Sequence, residues 1–300
     1  MTIPPFLKIG DNVAIIAPSG FLVKEQITNA IEMLSNWNLK VHIGKNIFSK
    51  FYTFAGNDEQ RLFDFQNAID DNSIKAIFCA RGGYGTLRIL DKINWTKFIE
   101  KPKWLIGYSD ITAIHSCLNN FLTIVSIHGP MPVNFEKLKE EKSSLENLKK
   151  ILFGEKIKYI FPNEKKLTNT VIEGKLIGGN LSLLYSLRGT KYDFNSNNCI
   201  LFIEEIGEYM YHIDRMLHNF KFGNNFSGLK AIILGGFTDI KENDSPFAYS
   251  LAEIIKETTN NKTPVINDFP AGHSIPNYPI ILGQKAKITI SNKEIVFEQG

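Results

Sequence analysis

The sequence predicts an α/β fold whose first half contains a largely parallel β-sheet. Short apolar runs that end in glycine, serine or charged residues alternate there with segments of helical periodicity, and this alternation is typical of parallel sheets covered by helices. The predicted strands of this half cover residues 13–17, 40–43, 75–80, 104–107 and 124–128.

Two segments between these runs have the periodicity of amphipathic helices. Ile27, Ala30 and Leu34 lie on one helical stripe. The apolar residues of the second segment, 62–69, follow Asn57, whose side chain is suited to cap a helix N-terminus. Strand and helix therefore alternate along the chain.

A charged stretch divides the chain into two predicted domains. Residues 136–170 are rich in lysine and glutamate, so we expect them to connect an N-terminal domain, 1–135, to a C-terminal domain, 171–300. Predicted strands of the second half are 171–177, 199–203, 231–234, 265–266, 287–290 and 294–297, and predicted helices are 181–187, 209–219 and 247–258.

Composition narrows the function classes. The 300 residues are 43% hydrophobic, and 34 basic and 31 acidic residues leave a formal charge of +3. Such a balance provides no strong field for nucleic acid or a membrane surface. A small molecule or a peptide is the expected partner.

Cysteines and the N-terminus indicate a cellular compartment. Cys79, Cys117 and Cys199 lie in apolar stretches without C-x-x-C spacing, which argues against disulfides and structural zinc. Residues 1–6 lack a basic segment followed by a long apolar run, so no secretory signal is recognised. We therefore expect a cytoplasmic protein.

Ser109 is a candidate nucleophile because it lies between a predicted strand and a predicted helix. In the sequence IGYSDIT, Gly107 precedes a sharp turn at the carboxyl end of the strand, where α/β enzymes place their ligands. Ile111 replaces the second glycine of a G-x-S-x-G elbow. From this pattern alone, a helix cap at Ser109 or Asp110 is the commoner explanation.

A serine nucleophile needs a histidine base, and the chain has six histidines. His115 is six positions past Ser109 on the same predicted helix and therefore faces elsewhere. His128 and His273 lie in loops flanked by glycine and proline, where catalytic side chains are common. The sequence pattern does not show which of these two histidines would be the base. Structural roles are assigned to His42, His212 and His218.

Two further features of the sequence could complete a serine–histidine site, one with a carboxylate and one with an oxyanion hole. The apolar run 199–203 ends at Glu204 and Glu205, and the period of a strand sends the two acids to opposite faces. The loop ARGGYG, 80–85, follows another strand and presents backbone amides suited to an oxyanion. It lacks the lysine and spacing of a nucleotide loop, and Cys79 before it is assigned to packing.

Six segments together resemble the LD-carboxypeptidase family of serine peptidases. They occur in the family's order over most of the chain: ARGGYG 80–85, IGYSDIT 106–112, HGPM 128–131, GGNLSLL 178–184, LFIEEIGE 201–208 and AGHS 271–274.

The resemblance implies a site. Ser109, Glu204 and His273 match the family's catalytic triad, with the nucleophile in the first domain and its partners in the second. The amides of Asp110 and Gly83 would form the oxyanion hole. Substrate-binding roles are assigned to Arg81, in the glycine loop, and to Arg215. Glu205 stands where the family usually has aspartate.

The resemblance also implies a fold and an activity. The expected fold is a flavodoxin-like, class I amidotransferase-like domain followed by a β-rich α/β domain, with two copies forming a homodimer. No metal and no organic cofactor are expected. The implied reaction is hydrolysis of an L,D-peptide bond that releases D-alanine from murein tetrapeptide stems during cell-wall recycling.

Two alternatives remain open at this point. One is a microcin C immunity-type hydrolase that cleaves an aminoacyl-nucleotide and stacks its base on an aromatic ring. Against it, Trp37, Trp95 and Trp104 lie in predicted core positions. The other is a non-catalytic, amidotransferase-like binding module in which the turn at Ser109 is only a helix cap.

Overall fold

The computed structural model describes residues 1–163, 167, 169–242, 244–259 and 263–300. Its strands are β1 Asn12–Ile16, β2 Lys40–Ile43, β3 Ile74–Cys79, β4 Trp104–Gly107, β5 Ser126–His128, β6 Ile157–Pro162, β7 Thr170–Asn180, β8 Cys199–Ile206, β9 Ala231–Thr238, β10 Val265–Ile266, β11 Ile280–Leu282, β12 Lys285–Ile290 and β13 Glu294–Gln299.

Helices connect most of these strands. They are α1 Thr28–Asn36, α2 Asp58–Asp70, α3 Thr86–Leu90, α4 Thr96–Glu100, α5 Thr112–Ser116, α6 Phe135–Leu138, α7 Ser143–Leu152, α8 Leu181–Ser186, α9 Met210–Phe222 and α10 Leu251–Thr258. Asn57 caps α2 as predicted, because its Oδ1 accepts from the amide of Gln60 at 2.8 Å.

The first sheet has the strand order β11-β5-β4-β3-β1-β2. Strands β1 to β5 are parallel and follow the flavodoxin-like order 2-1-3-4-5, which confirms the predicted fold of the N-terminal half. β11 pairs antiparallel with β5.

The second sheet has the order β10-β9-β8-β7-β12-β13-β6. Strands β7 to β10 are parallel, whereas β12, β13 and β6 pair antiparallel. This mixture of parallel and antiparallel pairs confirms the β-rich α/β character predicted for the C-terminal half.

Sheet membership departs from the predicted domain boundaries at two places. The segment predicted as a connection, 136–170, contains α7 and also β6, an edge strand of the second sheet. β11 belongs to the predicted C-terminal domain, yet it completes the first sheet. The division at 135 and 171 therefore stays a prediction.

The two sheets share one apolar core. Alternate residues of β3 and β8, such as Phe78 and Phe202, pack in the same buried cluster. Their neighbours on the opposite faces pack against helices: Ile77 lies with α2 and α5, and Leu201 lies with α9 and α10. Among the described helices, none is long and apolar enough to cross a membrane.

Two glycines at the end of β7 allow close approaches, one to the neighbouring strand β8 and one to the first half at Thr112. A Cβ on Gly178 would lie 1.8 Å from the carbonyl oxygen of Phe202, and one on Gly179 would lie 2.6 Å from Oγ1 of Thr112. Thr112 Oγ1 also accepts from the amide of Asn180 at 2.9 Å. The GGN segment therefore joins β7 to the first turn of α5.

We expect Gly179→Ala to destabilise the protein by about 1–3 kcal/mol. The substitution places a Cβ against Thr112, and the φ of Gly179 is 139°. Urea unfolding followed by circular dichroism measures the loss. Gly189→Ala is the control, because its φ of 72° carries strain but no heavy atom lies within 4 Å of the added Cβ. Equal losses in both variants would contradict the crowding at Thr112.

Candidate active site

Ser109 lies on a strained turn between β4 and α5. Its φ is 63°, in the left-handed region that costs a non-glycine residue about 1–3 kcal/mol. A 3₁₀ turn, Ser109–Ile111, leads from it into α5, and its side chain is half-buried. Such a turn is typical of a serine nucleophile at the edge of an α/β sheet.

Asp110 ties this turn to the loops beside it. Its Oδ2 accepts from Ser19 Oγ at 2.6 Å and from the amide of Thr86 at 2.9 Å. Thr86 Oγ1 donates to the Asp110 carbonyl at 2.7 Å. Burial raises the pKa of Asp110, while these hydrogen bonds oppose that rise. Neither Ser109 nor Asp110 caps the helix that follows, so the cap explanation does not describe them.

The glycine loop packs directly on Ser109. A Cβ on Gly82 would lie 2.9 Å from Cβ and 3.0 Å from Oγ of Ser109, so only glycine fits without displacement. Gly83 has a φ of 111° and backs onto Gly20. Across the described ranges, the amides of Gly82 and Gly83 donate to no protein acceptor. The loop therefore brings free N–H groups next to the serine.

Glu204 and His273 form a buried acid–histidine pair. Glu204 Oε2 and His273 Nδ1 are 2.6 Å apart, and the Glu204 side chain is fully buried. Because Nδ1 bonds the carboxylate, Nε2 is left as the basic nitrogen. The hydrogen bond joins β8 to the loop that follows β10.

The pKa values of both partners are displaced in opposite directions. Burial raises the pKa of Glu204, but His128 and His273 outweigh it and hold that pKa at about 2. Burial lowers the pKa of His273, yet the hydrogen bond and charge of Glu204 outweigh it, so the pKa lies above the ordinary 6.5. The carboxylate is therefore ionised at neutral pH.

Glu205 points to the opposite face of β8, as strand alternation predicts. It accepts from Asn180 Nδ2 at 2.9 Å, from Ser182 Oγ at 2.7 Å and from the amides of Ser182 and Ile206 at 2.8 and 2.9 Å. Burial raises its pKa, and these bonds oppose the rise. Glu205 therefore bonds residues at the start of α8, whereas Glu204 bonds His273.

Tyr108 brings the nucleophile turn beside the base. Its ring centroid lies 4.9 Å from that of His273, edge to face, and its chain neighbour is Ser109. Among the described side chains, no hydrogen bond joins Ser109 to His273. The structure thus bonds two of the three predicted triad residues and places the third on the neighbouring turn.

Four of the other histidines, His42, His115, His212 and His218, have hydrogen-bond or ion-pair partners outside the Glu204–His273 pair. His115 is buried, with Nε2 at 2.8 Å from the Gly107 carbonyl and Nδ1 at 2.8 Å from Ser126 Oγ. Burial lowers its pKa to about 3. This histidine braces the strand that leads to the turn. His42, His212 and His218 contact Asn12, Glu208, and Asp214 with Glu257, respectively.

The predicted substrate-binding arginines make other contacts in the structure. Arg81 Nη1 donates to the Phe21 carbonyl at 2.8 Å. Arg215 is exposed on α9, with its guanidinium 5.3 Å from the ring centroid of Tyr211. In the described contacts neither arginine bonds Ser109 or His273, and their binding roles stay predictions.

A cavity of about 200 Å³ opens beside His273, with Tyr108, Asn134 and Lys137 in its wall. The sequence analysis did not single out Lys137, because a lysine in a charged stretch gives no signal of its own.

Within the described ranges, no cluster of three or more histidine, cysteine or acidic residues is arranged to hold a metal ion. Cys79 is buried in β3, and burial raises the pKa of its thiol.

A serine on a strained turn, a buried acid–histidine pair and a loop of free amides are the components of a serine hydrolase site on an α/β fold. The model of the LD-carboxypeptidase N-terminal domain matches residues 13–129, and that of the C-terminal domain matches residues 173–288. The chain therefore belongs to the LD-carboxypeptidase family, and the predicted class, a serine-type carboxypeptidase, is confirmed.

Individual relatives cover nearly the whole chain. The probable murein peptide carboxypeptidase of Bacillus subtilis (strain 168) is 32% identical over 302 residues, which span 99% of this chain and 94% of that protein. The murein tetrapeptide carboxypeptidase of Pseudomonas aeruginosa is 31% identical over 281 residues, 90% of each chain.

Solved structures share the fold. The crystal structure of muramoyltetrapeptide carboxypeptidase from Oxalobacter formigenes superposes with a TM-score of 0.85 at 26% identity, covering 96% of this chain and 98% of that one. The microcin C7 self immunity protein MccF in its apo state gives a TM-score of 0.87 at 23% identity, covering 100% and 99%. The second match shows a common fold.

We expect His273 to titrate above pH 6.5 in the folded protein, and below it in Glu204→Gln. Removing the carboxylate leaves the burial that disfavours the imidazolium, so the sign of the shift reverses. Ring resonances followed by NMR over pH measure both values without an activity assay. Glu205→Gln is the matched control and lowers the pKa far less, because Glu205 faces away. An unchanged pKa in Glu204→Gln would contradict the assigned cause.

Proposed function

We propose that this enzyme hydrolyses the peptide bond between an L-centre and a terminal D-residue, and that it releases D-alanine from murein tetrapeptide stems. The observation that carries the proposal is the buried Glu204–His273 pair at 2.6 Å beside the strained turn of Ser109. The murein peptide and tetrapeptide carboxypeptidases among the relatives support the substrate class.

In the proposed first step, His273 Nε2 takes the proton of Ser109 Oγ as that oxygen attacks the scissile carbonyl. The ionised Glu204 fixes the Nδ1–H tautomer and stabilises the imidazolium that forms. His273 then passes the proton to the amine of the leaving D-residue as the C–N bond breaks. Water hydrolyses the acyl-enzyme with the same histidine as base.

The oxyanion of this reaction would be bound by the amides of Asp110 and Gly83. Backbone donors held in place before the reaction stabilise the developing charge without reorganisation. The bonds from Ser19 and Thr86 to Asp110 support this role, since they lock the turn to the loop. Gly82 leaves room for Ser109 Oγ.

The buried tryptophans count against the microcin C immunity-type alternative. Trp37, Trp95 and Trp104 are at most 8% exposed, so none offers a face on which a nucleobase stacks. The alternative of a non-catalytic binding module requires Ser109 to act as a cap, and Ser109 makes no such bond.

Three further parts of the proposal depend on the family resemblance and on the sequence. They are a homodimeric assembly, a cytoplasmic location and a role in cell-wall recycling. A tetrapeptide fragment rather than intact murein is the substrate that fits a cytoplasmic enzyme.

We expect Ser109→Ala and His273→Ala to lower kcat for D-alanine release by roughly 10⁶-fold, and Glu204→Ala by roughly 10⁴-fold. The nucleophile and base act as one unit, whereas the acid only orients the base. Release of D-alanine from the tetrapeptide stem, measured with a D-amino acid oxidase assay, checks each variant.

The matched control for these variants is His212→Ala. His212 also bonds a carboxylate, Glu208 Oε2, at 2.6 Å, but it lies on the surface of α9. Its loss should leave turnover unchanged. Full activity in Ser109→Ala would contradict the mechanism, and no release by the unaltered enzyme would favour a binding module.

A further inference from the structure

The cavity beside His273 has a mixed wall, with Leu138, Ile206 and Ile275 as its apolar members and a lysine among the others. Among the described residues that line it, Lys137 is a cation and none is an acid, while Tyr108, Asn134 and Asn277 are neutral and polar. Lys137 follows the HGPM segment in α6 and is exposed. The cavity therefore suits a small anionic ligand that enters from solvent.

The proposed chemistry places such a ligand there. His273 protonates the leaving amine, so the leaving D-residue must lie against the imidazole while the C–N bond breaks. A terminal D-residue carries an α-carboxylate one carbon from that amine. Lys137 lines the same cavity as His273, whereas Arg81 bonds a backbone carbonyl and Arg215 stacks on Tyr211.

We propose that this cavity is the leaving-group site and that Lys137 Nζ binds the α-carboxylate of the terminal D-residue. This proposal depends on the function proposed above. A lysine provides a point charge on a flexible stem, so it favours any small terminal residue with a free carboxylate and disfavours a chain that continues.

The test compares two substrates, the tetrapeptide stem and the same peptide with a C-terminal carboxamide. Lys137→Met should lower kcat/KM for the free acid by about 10- to 100-fold, the range of a charge-assisted hydrogen bond. It should leave kcat/KM for the carboxamide unchanged. Lys139→Met, an exposed lysine outside the cavity wall, is the matched control, and Lys137→Arg should retain the preference.

The failures of the two proposals are distinguishable. If the unaltered enzyme cleaves the acid and Lys137→Met keeps the same ratio of acid to carboxamide, the assignment of Lys137 is wrong and the function stands. If the unaltered enzyme cleaves neither peptide, both are wrong. Equal loss for both substrates in Lys137→Met also overturns the assignment, because it indicates a structural defect.

A second observation concerns His128, at the end of β5. It is fully buried, and within the described segments neither ring nitrogen has a hydrogen-bond partner. Glu204 Oε1 is also buried without a partner, and it lies 4.0 Å from His128 Nε2. The ring packs edge to face on Phe202 at 4.9 Å, with the His115 ring centroid at 6.3 Å.

Unpartnered polar atoms in such a place need an explanation, since each costs about 1–3 kcal/mol. A shift of about 1 Å would bring Nε2 and Oε1 to hydrogen-bond distance. Glu204 would then be held through Oε2 by His273, from the loop after β10, and through Oε1 by His128, at the end of β5. We infer that His128 is a positioning residue that donates to Glu204 and fixes the plane of its carboxylate.

The variants His128→Gln and His128→Phe separate this role from packing. Glutamine keeps a donor at a similar reach, whereas phenylalanine keeps the ring volume without a donor. We expect His128→Phe to lower kcat by about 10- to 100-fold with little change in KM. The pKa of the acid limb of kcat/KM should rise, because the charge of Glu204 then acts on His273 alone.

His128→Gln should restore much of kcat and return that pKa toward the original value. A packing role predicts the reverse order, with phenylalanine tolerated and glutamine harmful. That reverse order, or an unchanged pKa in His128→Phe with full kcat, would overturn the inference. His128→Leu, a smaller apolar variant, gives the same comparison should His128→Phe not fold.

Discussion

The site depends on keeping one carboxylate ionised inside the core shared by two sheets. Glu204 extends from β8 toward the same core as Phe202, where burial alone would favour the neutral acid. The hydrogen bond of His273 and the nearness of His128 reverse that preference. Because the buried charge requires nearby donors, it fixes where the loop after β10 and the end of β5 must lie.

Hydrogen bonds and close backbone contacts around this charge fix the turn that carries Ser109. Asp110 connects the turn to the glycine loop through Thr86 and to the β1 loop through Ser19. The glycines at the end of β7 allow the second sheet to bond Thr112, three residues after Ser109. The strained φ of Ser109 persists because these contacts over-determine the turn.

Much of this arrangement was predictable from the sequence, and the remainder depends on tertiary contacts. The predicted bounds of β2, β4 and β10 match the observed ones. β4 is a fully buried run, which composition alone indicates, whereas β2 is a largely exposed edge strand. Alternation along β8 predicted that its two acids face opposite ways. The sequence did not decide whether His128 or His273 is the base, because the loop that reaches Glu204 is determined by the tertiary arrangement of the two sheets. β6 was hidden in a charged stretch, and Lys137 carried no local pattern.

The pairing of β11 with β5 affects how a substrate can reach the cavity beside His273. The chain leaves the second half after His273, returns to the edge of the first sheet at Ile280–Leu282 and then re-enters the second sheet at β12. A hinge rotation that separated the two halves as rigid bodies would have to break this return strand. Substrate entry and product exit are therefore expected to use side-chain and loop displacements, and neither half is mechanically independent of the other.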